Sequence, residues 1–188
     1  MPSTQEKPRR TIGQQFRIAV IVSAIYVWAY FATVYFIAPI QSRFLPAVTM
    51  SVLFLPHGLR VLTAWLYGWR SSLFLAPGAL ACNLHFAGPQ AFDLNMVLGT
   101  VIGLLSAPFA FTLARAITLT ELRPHKTSVS ALLAVGVLAS FINFTGLGLV
   151  HGFGPIESAV TFIGDINGLL LSIMIVGTTI SLLQKSKR

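Results

Sequence analysis

The sequence predicts an all-α, polytopic integral membrane protein of about six transmembrane helices, with N- and C-termini cytoplasmic. Three observations carry that expectation. Hydrophobic residues make up 55% of the 188 and charged residues 10%, whereas a soluble domain needs about a quarter charged. Mean hydropathy is +0.78. The apolar residues fall in long, near-continuous runs, not in the short alternating segments of a barrel, and a helix needs about 20 of them to cross a ~30 Å hydrocarbon core. Together these exclude a soluble globular domain, a disordered chain and a nucleic-acid binder working in bulk water.

The first run covers about residues 17–39, with no charge between Ile18 and Ser42. It is too long for a signal-peptide core and no small-x-small site follows, so it reads as a retained helix. The second, about 47–67, carries one charge, Arg60. The third, about 69–86, is separated from the second by almost nothing, Gly68-Trp69-Arg70, which forces a tight antiparallel hairpin. The fourth covers about 94–114 and the fifth about 127–150. The sixth, about 158–183, carries one charge, Asp165. Pro39, Pro46, Gly88-Pro89, Pro124 and the stretch 152–155 punctuate the boundaries. Residues 1–16 read as a basic cytoplasmic tail, 17–184 as one six-helix transmembrane domain, and 185–188 as a basic cytoplasmic C-terminus.

Orientation follows from Lys and Arg. With the N-terminus inside, Lys7, Arg9, Arg10, Arg17, Arg70, Arg115, Arg123, Lys126, Lys185, Lys187 and Arg188 fall on the cytoplasmic side and Arg43 alone outside. An odd number of spans spoils this bias. The net charge of +8 is therefore assigned to orientation and to anionic lipid headgroups at the cytoplasmic face, not to nucleic acid. Trp28, Trp65, Trp69, Tyr35 and Tyr67 can anchor at the interfaces. The single cysteine, Cys82, excludes an intrachain disulfide and reads as a small packed hydrophobe.

Polar groups inside lipid are costly and mark functional candidates. Here they are His57, Arg60, His85 and Asp165, with Asn83, Asn143 and Asn167 beside them. At 1.5 Å per residue, Asp165 lies roughly 10 Å below the outer boundary, His57 roughly 15 Å and Arg60 roughly 20 Å. Asp165 can then pair with His57, or with Arg60 if its long stem turns outward. Two readings stay open: an ion pair that locks the second and sixth helices together, or a polar pocket for a ligand. His57, Arg60, Asp165 and Asn167 are the candidate pocket residues. Pro56 and Gly58 in the second span, and Pro77 and Gly78 in the third, are expected to kink or break those helices. Gly99/Gly103 and Gly164/Gly168 form GxxxG pairs, and Gly136/Ser140 a small-xxx-small pair, all suited to close helix packing. His85, His151, Asp93 and Glu157 gather toward the outer half, but no pair has metal-ligand spacing on one helix, so no metal or cofactor is expected.

Leu55-Pro56-His57-Gly58-Leu59-Arg60, followed by Tyr67-Gly68-Trp69-Arg70 and Leu75-Ala76-Pro77-Gly78, together with Phe162-Ile163-Gly164-Asp165-Ile166-Asn167-Gly168, resembles the first class of MASE-type membrane-associated sensor domains. The order and spacing fit across about residues 47–183. The resemblance implies a sensory module of the bacterial inner membrane that normally precedes a cytoplasmic signalling domain. This chain is shorter than that pattern and ends at Lys185–Arg188, so the resemblance implies output through a partner protein.

The sequence thus suggests a non-enzymatic ligand-recognition module with an outward-facing polar pocket. The alternatives are a small-solute transporter or its substrate-binding component, and a structural or assembly subunit of a membrane complex. No nucleophile with its base, metal motif or phosphate loop is visible, so an enzyme is not expected.

Overall fold

Thr11 begins the first helix with a reciprocal cap: its hydroxyl accepts from Gln14 N–H (3.3 Å) and the Gln14 side chain accepts from Thr11 N–H (3.1 Å). In this computed structural model, which describes residues 11–45, 50–118 and 127–186, the capped helix α1 is Ile12–Ala32. A π turn, Thr33–Ile37, leads into α2, Ala38–Phe44. The helices that follow are α3 (Leu55–Tyr67), α4 (Arg70–Ala87), α5 (Leu94–Thr118), α6 (Val129–His151) and α7 (Pro155–Lys185), with a 3₁₀ turn at Gly88–Phe92. The described residues contain no strand.

Four helical stretches are long and apolar enough to cross a bilayer: Ile12–Phe44, Leu94–Ile117, Val129–His151 and Pro155–Lys185. Residues 12–16, read from their polarity as part of the tail, belong to α1, and Lys185 closes α7. The second run departs most from its expectation. Residues 50–54 are not helical and α3 begins only at Leu55. Its thirteen residues span about 20 Å at the helical rise, short of a hydrocarbon core.

The helices alternate in direction. Ser23 meets Phe74 and Tyr35 meets His85, so α1 and α4 run parallel. Tyr26 meets Arg60, and Tyr30 meets Phe54, so α3 runs against α1. Ser72 on α4 donates to the Leu104 carbonyl and Asn83 to Thr100, so α5 runs against α4. Asn143 meets Asp165 and Gly136 meets Leu169, so α7 runs against α6. The α3–α4 hairpin turns at Gly68, whose φ of 60° suits glycine. Gly152 ends α6 in the left-handed region, with its N–H on the Gly148 carbonyl (2.8 Å).

Helix α3 is the axis of the bundle. Pro56, His57, Gly58, Arg60, Val61, Leu62, Thr63 and Ala64 are all buried. Val61, Leu62 and Ala64 share an apolar core with Phe111 of α5, Val135 and Ala139 of α6, and Leu169 of α7. A second core joins Tyr26 to Leu75, Ala79, Cys82 and Leu104. The first core lies along α3 toward the Gly68 hairpin, and the second reaches the cavity through Tyr26 and Ala79. The opposite end, above the start of α3, is where the packing opens.

Pro77 and Gly78 do not break α4, which is continuous across them. A hydroxyl from α1 compensates for the proline. Ser23 donates to the Phe74 carbonyl (2.8 Å) and accepts from Gly78 N–H (3.1 Å), standing beside the two groups that a helix without proline would bond to each other. A Cβ on Gly78 would lie 2.8 Å from the Ser23 carbonyl oxygen, so glycine is what lets α1 come this close.

Candidate functional site

The site exists because α3 starts late. Pro56 suits a first helical turn, where its missing N–H costs nothing. The five residues before that turn are not helical and must still satisfy their backbone where they pack among helices. Side chains from neighbouring helices do this. Gln41 of α2 donates to the Met50 carbonyl (2.7 Å) and accepts from Val52 N–H (2.7 Å). Asn167 of α7 donates to the Val52 carbonyl (2.9 Å), and Phe54 N–H bonds to the Gly164 carbonyl (2.9 Å). The Gly164/Gly168 pair makes the room: a Cβ on either would collide with the carbonyl oxygens of Ser51 and Phe54. Gly58 does the same on the α3 side, against Ser172 and the Gly168 carbonyl.

Above α3 lies a cavity of about 410 Å³. Its polar wall includes Tyr26 and Tyr30 of α1, Arg60 of α3, Asn83 of α4, Thr100 of α5, Asn143 of α6 and Asp165 of α7. Phe54, Met50, Met96 and Leu147 supply apolar wall. The π turn contributes Thr33 and Val34, and π turns recur at functional sites.

Arg60 and Asp165 share this cavity, yet no ion pair joins them; among the described residues the recorded ion pair is His57–Asp165. Arg60 donates from Nη2 to the Tyr26 hydroxyl (2.7 Å). Its guanidinium carbon lies 5.6 Å from the centres of both the Tyr26 and Phe54 rings, within cation–π range. Gly103 leaves the space the guanidinium uses, since a Cβ there would stand 2.8 Å from Nη1. Arg60 Nε has no hydrogen-bond partner.

Asp165 is fully buried. Its Oδ2 accepts from Asn143 Nδ2 (2.7 Å) and lies 3.2 Å from His57 Nδ1. The histidine contact is a close approach and not a formed hydrogen bond, since Nδ1 has no hydrogen-bond partner. Asp165 Oδ1 and Asn143 Oδ1 have no partner. His57 Nε2 is 3.1 Å from Ser140 Oγ. Ser140, His57 and Asp165 thus stand in the order of a hydrolytic triad. However, Ser140 is fully buried, its one hydroxyl proton goes to the Gly136 carbonyl (3.1 Å) so that it would accept from His57 Nε2–H, and neither Ser140 nor His57 lines the cavity.

Of the four pocket residues read from the sequence, Arg60 and Asp165 form wall, His57 stands behind Asp165, and Asn167 holds the 50–54 segment without lining the cavity. Gly99 sits under His151, also on the wall, where a Cβ would come within 2.7 Å of Nε2. His85 is exposed on the flank of the bundle, 3.2 Å from the Tyr35 hydroxyl. Asp93 and Glu157 are exposed. Among the described residues no three His, Cys, Asp or Glu side chains gather as a metal site would require. Sequence reasoning missed Tyr26 and Gln41 and assigned Ser140 to packing alone. Gln41 carried a signal, a neutral amide close to the end of a long apolar run. Tyr26 carried none.

No family model, curated protein or solved structure matches this chain.

Proposed function

We propose that the chain is a ligand-recognition protein of the bacterial inner membrane, with six crossings and both termini in the cytoplasm. It takes a small polar ligand into the cavity above α3 from the outer face and passes the signal to a partner protein. The observation that carries this reading is the unpaired meeting of Arg60 and Asp165 in one cavity of about 410 Å³. A structural ion pair would bring the two charges into contact, because burying a charge without a partner is costly. Here each is held by other groups, each keeps one buried atom (Arg60 Nε, Asp165 Oδ1) without a hydrogen-bond partner, and both residues line an open volume.

The topology rests on three supports. Arg17, Arg70, Arg115 and Lys185 fall near the helix ends that cluster with the Gly68 hairpin, and Arg43 near the opposite ends. That asymmetry is the positive-inside pattern. The 50–54 segment and α3 together make the second crossing, the non-helical part being lined by protein and cavity as lipid demands. The short turn at Gly68 makes α4 the third. The likeness to MASE-type sensor domains in the residues 55–60, 67–70 and 162–168 supports a sensory role. We read Ser140–His57–Asp165 as a structural relay that orients the carboxylate, because the hydroxyl has no access to the cavity.

Cysteine labelling tests this. In a Cys82→Ala background, Thr100→Cys (cavity wall) and Ser106→Cys (fully packed) lie on the same helix α5. A membrane-impermeant maleimide added outside intact cells should label Thr100→Cys at least about tenfold faster than Ser106→Cys. Equal, negligible labelling of both would remove the outward-facing pocket. A transporter would share the pocket; solute flux into proteoliposomes would assign that activity instead.

A further inference from the structure

Resting on that reading, we infer that the ligand is a small zwitterion bearing an anionic oxygen group and a primary ammonium. Three residues on the cavity wall carry a buried polar atom with no partner, and together they specify both ends. On one side stands Arg60, whose guanidinium is steadied by Tyr26 and two rings and whose buried Nε has no partner. A guanidinium edge with a free N–H matches a carboxylate or phosphate oxygen. On the other side Asp165 Oδ1 and Asn143 Oδ1 are two acceptors with no donor, 0% and 1% exposed as residues. They are neighbours, because Asn143 Nδ2 already holds Asp165 Oδ2. Two adjacent acceptors, one of them on a carboxyl group, want a group with several donors, and a positive charge beside the carboxyl would hold it as the anion. A primary ammonium has three donors; a quaternary ammonium has none.

A ligand with only one of the two charges would leave the opposite orphaned set buried and unmet, which is expensive. The volume falls in the ordinary range for small-molecule sites. Phe54, Met50, Met96 and Leu147 on the wall offer an apolar substituent somewhere to lie. Two sources share this chemistry: a free α-amino acid with an apolar side chain, and the phosphoethanolamine headgroup of a membrane lipid.

The experiment uses the full chain in nanodiscs of phosphatidylglycerol and phosphatidylcholine, read by thermal unfolding. The soluble probes are L-leucine and L-phenylalanine, against 3-phenylpropanoate (anion only), 2-phenylethylamine (cation only) and N,N,N-trimethylphenylalanine. A second arm replaces phosphatidylcholine by phosphatidylethanolamine. We expect stabilisation by the amino acids, with the three analogues weaker by about tenfold or more. If the headgroup is the source, phosphatidylethanolamine discs are stabilised instead and the soluble probes do nothing. Arg60→Gln and Asp165→Asn should each weaken the active probe by about tenfold or more, and their ligand-free melts show whether they fold. The wild-type analogue series stands without either variant. Stabilisation by neither arm, or half-charged analogues acting as well as the zwitterion, overturns the inference. Rapid Thr100→Cys labelling with a silent panel leaves the pocket and removes the zwitterion; absent labelling removes both.

Discussion

Of the 21 residues in α1 only Tyr26 and Ala29 are buried, whereas eight of the thirteen in α3 are. The two helices pack against each other, and their compositions run opposite to what a soluble protein would show. Beyond Arg17, α1 is almost wholly apolar and lies exposed; α3 carries a histidine and an arginine and is enclosed. The exposed side chains of α1, such as Val20 and Ile25, face the medium that an apolar surface requires, which is hydrocarbon. The charges of α3 are placed where protein can hold them. Exposure here measures contact with lipid, and the helix least able to live in lipid is the one the other helices wrap.

The strongest way to break this contrast is to strip the enclosed charge system of one member. Asp165→Ala leaves Asn143 Nδ2 without its acceptor and His57 without its neighbouring carboxylate. We expect a loss of about 3–4 kcal/mol, from the orphaned Asn143 donor and the space left by the packed carboxyl, read as the unfolding free energy in mixed micelles.

Next in size is a charge placed on the lipid-facing side. Ile25, 48% exposed near the middle of the Ile12–Phe44 stretch, should tolerate no arginine. Ile25→Arg is expected to cost about 2.5–3.5 kcal/mol in an insertion assay. Full insertion of that variant would mean that this face of α1 is not turned to lipid.

How far the sequence discloses these features depends on the solvent that enforces them. Lipid demands long apolar helices, so the fourth, fifth and sixth runs were readable from hydropathy to within about a turn, while the first extends five residues further at each end. Gly68-Trp69-Arg70 left no length for anything but a hairpin. The late start of α3 was harder to see, because residues 47–54 are as apolar as a span; only Pro56 marked where the helix could begin. Counting depth set Asp165 and His57 at neighbouring levels, and they are in contact at 3.2 Å. Rise along a helix says nothing of rotation about it, so the count did not reveal that Arg60 turns to Tyr26. The continuity of α4 through Pro77 was hidden for the same reason: its compensation comes from Ser23, 55 positions before Gly78.

That compensation supplies a smaller test. Ser23→Ala removes the hydroxyl that serves both Phe74 and Gly78. The expected cost is about 1–3 kcal/mol, the penalty of leaving buried backbone groups unmet, together with faster amide exchange at Gly78. Smallest of all, Ile25→Ala should change stability by no more than about 0.5 kcal/mol, since the residue meets hydrocarbon before and after unfolding within the bilayer. A loss above about 2 kcal/mol would place Ile25 against protein.

The most direct measurement is an experimental density map of the full chain in lipid nanodiscs, at a resolution that shows side chains. We expect α3 to begin at Leu55, with the Arg60 guanidinium on Tyr26, the Asp165 carboxylate on Asn143, and both residues bordering one hollow. A second helix continuous through residues 50–54, or a guanidinium and carboxylate on opposite sides of the bundle turned toward acyl chains, would contradict it.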